Sequence, residues 1–388
     1  MKIAILSYGH LDPILPLFKR LRKRVNVKLI MIFSQDAKYE SLLTFNDLQV
    51  KDGFVNNEIK NNILSRIGME GYINDIEIFI LHNNRVRSII NTLLYFKLKY
   101  KLKHYDLIHF NGQHATLIPL LFLLPKKTKK VFVVHDFQPH IGEGGKYNLF
   151  STNWNYRMIL KTTRWPLILQ NMKDFKFVKY KFPNFNYKLY YIPFGVFENY
   201  NYWYSTEHNN IKYDLLFFGR ISEYKGLKYL IDAVINLQSK NIYPHLCIAG
   251  KGCLHSYKES IDKIKHITLF NYYLNSNKLV RIIQQSKLVV CPYIDASQSG
   301  VAMTAFALNK PVIASNVGSF YELLSDEKKG LLVEPGNSDK LSQKLEFILN
   351  KEETRKSMIE NIKYFKTKGK FNWNNITDEY LNLYKKLK

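Results

Sequence analysis

The sequence predicts an α/β protein with two mostly parallel sheets. Short apolar runs alternate with stretches of helical periodicity along the chain. The runs are rich in Val, Ile, Leu and Phe, which is typical of parallel strands covered on both faces. The chain has 388 residues, whereas a single core rarely grows beyond about 250–300 residues. We therefore expect two Rossmann-like domains, each a doubly wound parallel sheet.

Eleven apolar runs are predicted to be strands. Five lie in the first half, at residues 3–7, 27–33, 107–110, 131–134 and 190–192. Six lie in the second half, at residues 215–218, 246–249, 267–270, 288–291, 312–314 and 330–333. Because helical spacing fills the stretches between them, most connections are expected to be strand–helix–strand crossovers.

The domain boundary is expected in a polar, aromatic segment at residues 198–210, which has neither strand nor helix periodicity. This division gives a first domain at 1–200 and a second at 201–372. The last helical pattern, at 373–388, is interpreted as a helix that packs back across the junction. Its periodicity does not say against what it packs.

Composition narrows the class of protein. Apolar residues make up 46% of the chain, which indicates a globular protein. The sequence has no uninterrupted apolar run of about 18 residues, the length of a membrane span, and its strand-like start is too short for a signal peptide. The three cysteines, Cys247, Cys253 and Cys291, lack metal-ligand spacing. We expect a cytoplasmic protein without disulfides or zinc.

The chain is strongly basic, with 57 Lys and Arg against 32 Asp and Glu and a formal net charge of +25. Its densest basic clusters lie at residues 19–24, 97–103 and 126–130. In the first two clusters the cations alternate with Leu, Phe, Tyr or Val, a mixture found in helices that lie on anionic membranes. Solvated helix faces are an equally open interpretation. Nucleic acid is a third candidate partner, but no zinc finger, helix-turn-helix or RNA-binding sheet motif supports it.

A glycine turn at residues 219–226 joins an apolar run to an amphipathic helix pattern. Backbone N–H groups at a helix start attract anions, and Arg220 and Lys225 add two cations that suit a diphosphate. The alternative is an ordinary strand–helix turn with solvated basic residues. Motifs further along the chain favour the phosphate interpretation.

Five motifs occur in a fixed order between residues 213 and 345. They are Gly219-Arg220 with Lys225-Gly226, then Ala249-Gly250-Lys251-Gly252, then Leu279-Val280 with the run 288–292, then the run 310–318 with Glu322, and last Gly330-Leu331-Leu332-Val333-Glu334-Pro335-Gly336. Together they resemble the group 1 glycosyltransferases, or glycosyltransferase family 4, whose GT-B fold has two Rossmann-like domains facing a cleft. Each motif alone is weak, but the ordered set is specific.

The resemblance implies that the second domain binds a nucleotide-sugar donor and the first an acceptor. It implies four catalytic residues, His135, Asp295, Arg220 and Lys225. It places the donor nucleotide and its phosphates at Gly219, Arg220, Lys225, Gly250, Gly252, Tyr273, Ser299, Gly300 and Thr304.

One family motif is altered. The resemblance predicts a pair of glutamates eight positions apart, one facing the donor sugar and one the ribose, but alignment places Ala296 and Thr304 there. Asp295, one residue earlier, is predicted to replace the first carboxylate, and the Thr304 hydroxyl the second. Ser299 and Gly300 fit a helix start that approaches the donor phosphates. The alternative is that Ser297 and Ser299 only cap this helix.

The first domain matches the family more loosely. Its candidate residues follow predicted strands, where side chains reach the ligand crevice of a parallel sheet. His135 is the strongest candidate, and it is expected to orient the donor sugar through a hydroxyl group. Gly9, His10, His109 and His140 are expected on the acceptor side. A structural histidine remains the alternative at each of these histidine positions.

The resemblance implies a glycosyltransferase of the hexosyl-transferring type. It would move a sugar from a nucleoside-diphosphate sugar, with a UDP-sugar expected, to a glycan or lipid-linked acceptor in the synthesis of capsule, O-antigen or exopolysaccharide. Transfer is expected to retain the anomeric configuration and to need no metal and no other cofactor. An anionic membrane surface is the expected partner, with the protein peripheral on the inner face of the cell membrane; nucleic acid is not expected.

Two alternatives to this function stay open. A catalytically silent GT-B protein that binds a nucleotide or a glycan is favoured by the two missing glutamates. Another GT-B enzyme, such as a phosphorylase or an epimerase, would share the same motifs.

Overall fold

The computed structural model describes residues 1–38, 42–85, 88–112, 118–125, 127–135, 137, 165–208 and 210–387. These residues form two units. The first contains the described residues up to Phe194 together with those from Trp373 onward. The second runs from Gly195 to Asn372.

A sheet of eight strands lies at the centre of the described part of the first unit. The strands are β1 (Lys2–Tyr8), β2 (Asn26–Ser34), β3 (Gly53–Phe54), β4 (Ile76–Leu81), β5 (Leu107–Asn111), β6 (Lys129–Val134), β7 (Leu167–Leu169) and β8 (Leu189–Tyr191). Their order is β3-β4-β2-β1-β5-β6-β7-β8, and β3 pairs antiparallel with β4 while the other printed pairs are parallel. The carboxyl ends of β1, β5 and β6 therefore lie side by side.

The described helices of the first unit before residue 194 are α1 (Leu11–Arg22), α2 (Asn57–Ser65), α3 (Ile89–Leu102), α4 (Ile118–Leu123) and α5 (Met172–Lys181). Three of them begin at polar caps, since Asn56, Ser88 and Asn171 each accept a hydrogen bond from the backbone N–H three residues on. The helices and the sheet enclose an apolar core in which the rings of Phe110 and Phe132 stack at 4.6 Å.

The second unit is built on a sheet of six described strands. They are β9 (Tyr213–Phe218), β10 (Leu246–Ala249), β11 (Ile267–Phe270), β12 (Ser286–Cys291), β13 (Val312–Ser315) and β14 (Gly330–Val333). All pair parallel, in the order β11-β10-β9-β12-β13-β14. The strand order thus reverses between β9 and β12, the feature of a doubly wound sheet.

Seven described helices belong to this second unit. They are α6 (Leu227–Gln238), α7 (Lys258–Ile261), α8 (Ser276–Gln284), α9 (Gly300–Ala307), α10 (Phe320–Leu324), α11 (Ser338–Asn350) and α12 (Glu352–Thr367). The face of α6 that faces the core, formed by Leu227, Leu230, Ile231 and Val234, is completely buried.

The last helix, α13 (Trp373–Leu387), belongs to the first unit. It packs against α1. The hydroxyl of Tyr384 lies 2.5 Å from His109 Nδ1 on β5, and Asp378 pairs with Arg24 at 2.6 Å. Because His109 is 275 positions away from Tyr384 in sequence, this contact is one that periodicity could not have identified. No helix in the described part of the chain combines the length and the apolar character that a bilayer span requires.

Candidate functional site

The reversal of strand order between β9 and β12 places a candidate binding crevice in the second unit. At such a switch point the loops that leave the carboxyl ends of two neighbouring strands diverge, and ligands bind between them. The loop after β9 begins at Gly219, and the loop after β12 contains Pro292 and Tyr293. The glycine turn predicted from the sequence therefore lies at the crevice of the sheet.

Gly226 fixes the glycine turn against the loop after β12. It has a positive φ of 64° and forms the N-terminal boundary of α6. A Cβ at this position would lie 1.9 Å from the carbonyl oxygen of Pro292. Only glycine accommodates both the left-handed backbone and this approach. The turn and the β12 loop are consequently held in direct contact.

The ammonium group of Lys225 lies inside this contact. Its side chain is buried, with 8% of the residue exposed, and Nζ lies 5.5 Å from the ring centroid of Tyr293. A Cβ at Gly219 would come within 2.8 Å of Nζ, so the glycine leaves the space that the ammonium fills. Arg220, by contrast, is exposed. The structure thus separates the two predicted cations into one that is held in place and one at the surface.

Gly250 and Gly252 bring the loop after β10 onto the same turn. A Cβ at Gly250 would lie 1.9 Å from the carbonyl oxygen of Gly219, and one at Gly252 would lie 2.5 Å from Ile221. The N–H of Gly219 donates to Ala249 O and that of Gly250 to Phe270 O, both at 2.9 Å. These amides are used within the fold. Gly219 and Gly250 therefore contribute close packing here, and their contact with the donor phosphates stays a prediction.

Helix α9 begins at Gly300, where the sequence predicted a helix start. Ser299 is the N-cap, and its hydroxyl accepts a hydrogen bond from Ala302 N–H at 3.2 Å. A Cβ at Gly300 would lie 3.0 Å from the ring of Phe197, so glycine lets this ring lie against the helix start. Ser299 thus serves at least as the cap that the alternative interpretation proposed.

The positions of the altered carboxylate motif differ in burial and in hydrogen bonding. Ala296 is 1% exposed, and its carbonyl oxygen would be 2.1 Å from a Cβ at Gly318, so this position is closed on that side. Asp295 is half-buried. Thr304 is buried, and its Oγ1 donates to Gly300 O at 2.9 Å. Because its hydroxyl hydrogen is bound within the helix, the structure argues against Thr304 as a donor to the ribose.

Tyr293 is a candidate that the sequence analysis missed. It follows β12 at the carboxyl end of the sheet, and its buried phenol lies near Lys225, Cys291 and Ser299. Burial raises the pKa of Tyr293 well above its usual value, so the phenol stays neutral. Its position directly after an apolar strand was the available indication. Tyr273 lies in the loop after the edge strand β11 and is 49% exposed.

In the first unit, His10 and His135 form a stacked pair. Their ring centroids are 3.8 Å apart with an interplanar angle of 16°. His10 follows β1, His135 follows β6, and Gly112 follows β5 between them. A Cβ at Gly112, whose φ is +75°, would lie 3.0 Å from His10 Cδ2 and 3.1 Å from His135 Cδ2. Two predicted residues are thus brought together by a glycine that was not predicted.

The turn that carries Gly9 and His10 is held in the left-handed region, at φ values of 71° and 53°. Ser7 Oγ donates to Gly9 O at 2.5 Å, and Asn111 Nδ2 donates to Ser7 Oγ at 2.9 Å and to His10 O at 3.3 Å. A positive φ at a residue other than glycine costs about 1–3 kcal/mol and is retained where the surroundings enforce it. This network therefore fixes the exposed ring of His10 over His135.

Burial controls the charge of His135. It lowers the pKa of His135 well below 6.5, and the nearby His10 lowers it further, while a hydrogen bond with Gln170 acts in the opposite direction. The imidazole of His135 is therefore neutral near pH 7. A neutral ring can both donate and accept a hydrogen bond, which suits a sugar hydroxyl.

His109 is not part of this pair. It is 0% exposed, stacks on Tyr380 at 5.4 Å and bonds to Tyr384. Burial lowers the pKa of His109 to about 3. The acceptor role predicted for His109 is wrong in this structure, because α13 covers the middle of β5. His140 lies outside the described residues.

The basic cluster at 19–24 also differs from its prediction. Leu21 within this cluster and Phe18 beside it are completely buried in the core. Arg22 pairs with Asp75 at 2.7 Å, and Arg24 pairs with Asp378 at 2.6 Å. This cluster is therefore not a mixed basic and apolar surface.

Comparison with known proteins agrees with this geometry. Residues 205–365 match the family described as "Glycosyl transferases group 1". An uncharacterised glycosyltransferase of Methanocaldococcus jannaschii is 30% identical over 174 residues, 44% of this chain and 44% of the relative. A D-inositol 3-phosphate glycosyltransferase of an Arthrobacter species is 28% identical over 154 residues, 38% of this chain and 37% of the relative. The match thus spans less than half of each relative.

Similarity to solved structures extends over the whole chain. HepE of Anabaena in complex with UDP has a TM-score of 0.67 at 16% identity, with 100% of both chains covered. Sucrose-phosphate synthase of Thermosynechococcus elongatus has a TM-score of 0.67 at 15% identity, with 100% of this chain and 99% of that chain covered. At these identities the likeness shows the fold, which is GT-B, as predicted.

Proposed function

We propose that this chain, whose residues 205–365 belong to the group 1 glycosyltransferases, transfers a sugar from a nucleoside-diphosphate sugar to a glycan or lipid-linked acceptor. The observation that carries the proposal is the buried ammonium of Lys225 at the switch point of the second sheet. A diphosphate leaving group is the chemistry that a fixed cation in such a crevice suits.

Departure of the diphosphate builds negative charge on its oxygens while the sugar becomes oxocarbenium-like. Lys225 would stabilise that charge with little reorganisation, because its ammonium already lies in the space that Gly219 leaves beside the ring of Tyr293. The exposed Arg220 would close on the outer phosphate oxygens through a charge-assisted hydrogen bond. Asp295 would face the positive charge that develops on the sugar.

His135 would hydrogen bond to a sugar hydroxyl through its neutral ring. The stacked His10 and the tight backbone of Gly112 fix the plane of that ring. Retention of the anomeric configuration, independence of metal and a UDP-sugar as the donor are parts of the proposal that rest on the family resemblance. HepE of Anabaena was solved with UDP-glucose, which supports the choice of UDP.

The acceptor is proposed to be a glycan or lipid-linked oligosaccharide of a surface polysaccharide. The excess of cations, a formal net charge of +25, supports an anionic environment such as a membrane surface. The cytoplasmic location stays a prediction from the sequence.

The first test is donor binding and turnover with a panel of UDP-, GDP- and ADP-sugars. A ligand at 100 times its dissociation constant should stabilise the protein by about 2.7 kcal/mol, which thermal unfolding detects. With the sugar so identified, Lys225→Ala should lower turnover at least about tenfold, because the lost cation acts most strongly as the leaving group charges. Arg220→Ala should have a smaller effect.

Lys228→Ala is the matched control, since Lys228 lies on the next helix with its side chain 66% exposed and pairs with Asp232. It should keep normal turnover. Near-normal turnover in Lys225→Ala would remove the cation from the mechanism.

A catalytically silent nucleotide-binding protein is the second candidate function, favoured by Ala296 and Thr304 at the positions of the two family glutamates. Such a protein would be stabilised by a nucleotide but would release no nucleoside diphosphate from any donor, with or without an acceptor extract. Release of the nucleoside diphosphate by the wild type and its loss in Lys225→Ala would exclude this candidate.

A further inference from the structure

Helix α3 is apolar on both of its faces. Its inner face is buried against the sheet through Leu94, Tyr95, Leu98 and Leu102, each no more than 6% exposed. A helix that covers a sheet in a globular protein normally presents a polar outer face to water. The outer face of α3 departs from that rule.

The outer face carries a stripe of large apolar side chains. Ile89 is 80% exposed, Leu93 62%, Phe96 50% and Tyr100 68%. Their spacing of four, three and four residues places them on one side of the helix. Single exposed apolar residues are common, but a contiguous row marks an interaction surface. We call this row, Ile89, Leu93, Phe96 and Tyr100, the α3 stripe.

Cations border the α3 stripe. Residues 88–104 contain four lysines, at 97, 99, 101 and 103, and no acidic residue. Lys103 Nζ lies 3.8 Å from the ring centroid of Tyr100, and Lys101 Nζ lies 4.6 Å from that of Phe54 while it pairs with Glu77 at 2.5 Å. Phe54, Phe96 and Tyr100 line a shallow groove together with Lys97, Lys101 and His104.

We propose that the α3 stripe and its lysines dock the protein on an anionic lipid bilayer. Apolar side chains that enter the acyl boundary, with lysines whose stems follow them and whose ammonium groups stay at the headgroups, are the composition of an interfacial helix. Charge complementarity selects anionic lipid, since every charged side chain in residues 88–104 is a cation. The docking surface is inferred independently of the proposed function. Only its biological use rests on that function, because a lipid-linked acceptor would lie at the bilayer surface.

The cluster at 19–24 lacks the exposed apolar side chains that a main contact with the bilayer would need. There the apolar side chains of Phe18 and Leu21 are buried, and Arg22 and Arg24 already pair with Asp75 and Asp378. Of the two clusters that mix cations with apolar residues in the sequence, α3 is the one that exposes both.

The test is co-sedimentation of the purified full chain with vesicles of phosphatidylcholine alone or mixed with phosphatidylglycerol. The wild type should bind only the mixed vesicles, and raised salt should weaken binding without abolishing it, because the apolar contribution is not screened. Leu93→Ser with Phe96→Ser should reduce the partition coefficient at least about tenfold. Lys97→Glu with Lys103→Glu should reduce it by a similar factor at low salt.

Matched controls separate this surface from general charge and apolarity. Lys19→Glu with Lys23→Glu makes the same change of charge on the 19–24 cluster, and Leu269→Ser with Phe347→Ser removes apolar residues that are 41% and 46% exposed in the second unit. Both controls should bind vesicles like the wild type.

Three outcomes would overturn the proposal. These are a wild type that ignores mixed vesicles, a 19–24 control that loses as much binding as the α3 variants, and a wild-type dimer in size-exclusion chromatography that the α3 variants convert to monomer. Thermal stabilisation by the donor, measured on every variant, keeps the two hypotheses distinct. Vesicle binding without donor binding would support docking and contradict the glycosyltransferase function. Donor binding without vesicle binding would contradict docking and leave the glycosyltransferase function in place.

Discussion

At the scale of residues, the two positions of the altered carboxylate motif differ in their surroundings. Ala296 is buried, and its backbone lies close to Gly318. Asp295 is half-buried, one position earlier on the same loop. Thr304 bonds to the backbone of its own helix. A carboxylate thus lies next to the first position, while the hydroxyl at the second position is bonded within its own helix.

This difference predicts unequal effects of two substitutions. Asp295→Asn should lower turnover at least about tenfold, because a neutral amide cannot stabilise the positive charge of the reacting sugar. Thr304→Ala should leave turnover and the Michaelis constant of the donor within about threefold of wild type, because the hydroxyl is bound to Gly300 O. Steady-state kinetics with the identified donor measures both. A larger loss in Thr304→Ala than in Asp295→Asn would place the hydroxyl in the role assigned to the carboxylate.

At the scale of elements, the turn after β9 is held by packing that only glycine permits. Gly226 brings it against Pro292, and Gly250 brings the β10 loop against Gly219. Three loops that leave β9, β10 and β12 are thereby fixed to one another. Lys225 owes its position to this arrangement and not to its local sequence, which would equally suit an exposed lysine.

Two glycine substitutions can separate the cost of backbone strain from the cost of a steric clash by the added Cβ. Gly226→Ala combines a left-handed φ with a Cβ that would lie 1.9 Å from Pro292 O, so it should destabilise the protein by at least about 2 kcal/mol. Gly369→Ala has a φ of +83° but no neighbour within 4 Å of the new Cβ, and it should cost only about 1 kcal/mol. Thermal unfolding midpoints measure the difference. Equal losses would show that backbone strain alone sets the requirement at Gly226.

At the scale of the whole chain, the last helix returns to the first unit and buries a histidine. Tyr380 and Tyr384 of α13 cover His109, whose pKa falls to about 3 because it is buried. His135 is also buried, with its pKa well below 6.5. Both histidines are neutral in the folded chain at pH values where they would be charged in the unfolded chain.

This arrangement predicts acid sensitivity. An unfolded histidine titrates near 6.5, so below that pH the unfolded state binds more protons than the folded state, and stability falls as pH is lowered towards the folded pKa of about 3 for His109. The loss approaches about 1.4 kcal/mol per pH unit for each such group. His109→Gln should make the decline of the unfolding midpoint between pH 7 and 5 shallower than in wild type. His104→Gln, which changes an exposed histidine, should keep the wild-type slope.

Most of the strand framework was predictable from the sequence because strand formation follows local apolar patterning. All eleven predicted strands are present, with ends that differ by a few residues. Three further strands, β3, β4 and β7, were not predicted. In β4 the apolar run is interrupted by Glu77, which is tolerated because Lys60 and Lys101 pair with it. The strand β3 has two residues, too few for a pattern, whereas β7 has three residues and is no shorter than the predicted β8.

The sequence by itself determined the α/β class, the glycine turn and the family motifs, since each is contained within a few consecutive residues. Only the tertiary structure decided the stacking of His10 on His135, the burial of Lys225 against Tyr293, and which basic cluster is exposed with its apolar neighbours. Those features depend on contacts between residues far apart in the chain. Local patterning shows which helix faces are apolar, but the packing of the whole fold decides which of these faces are buried.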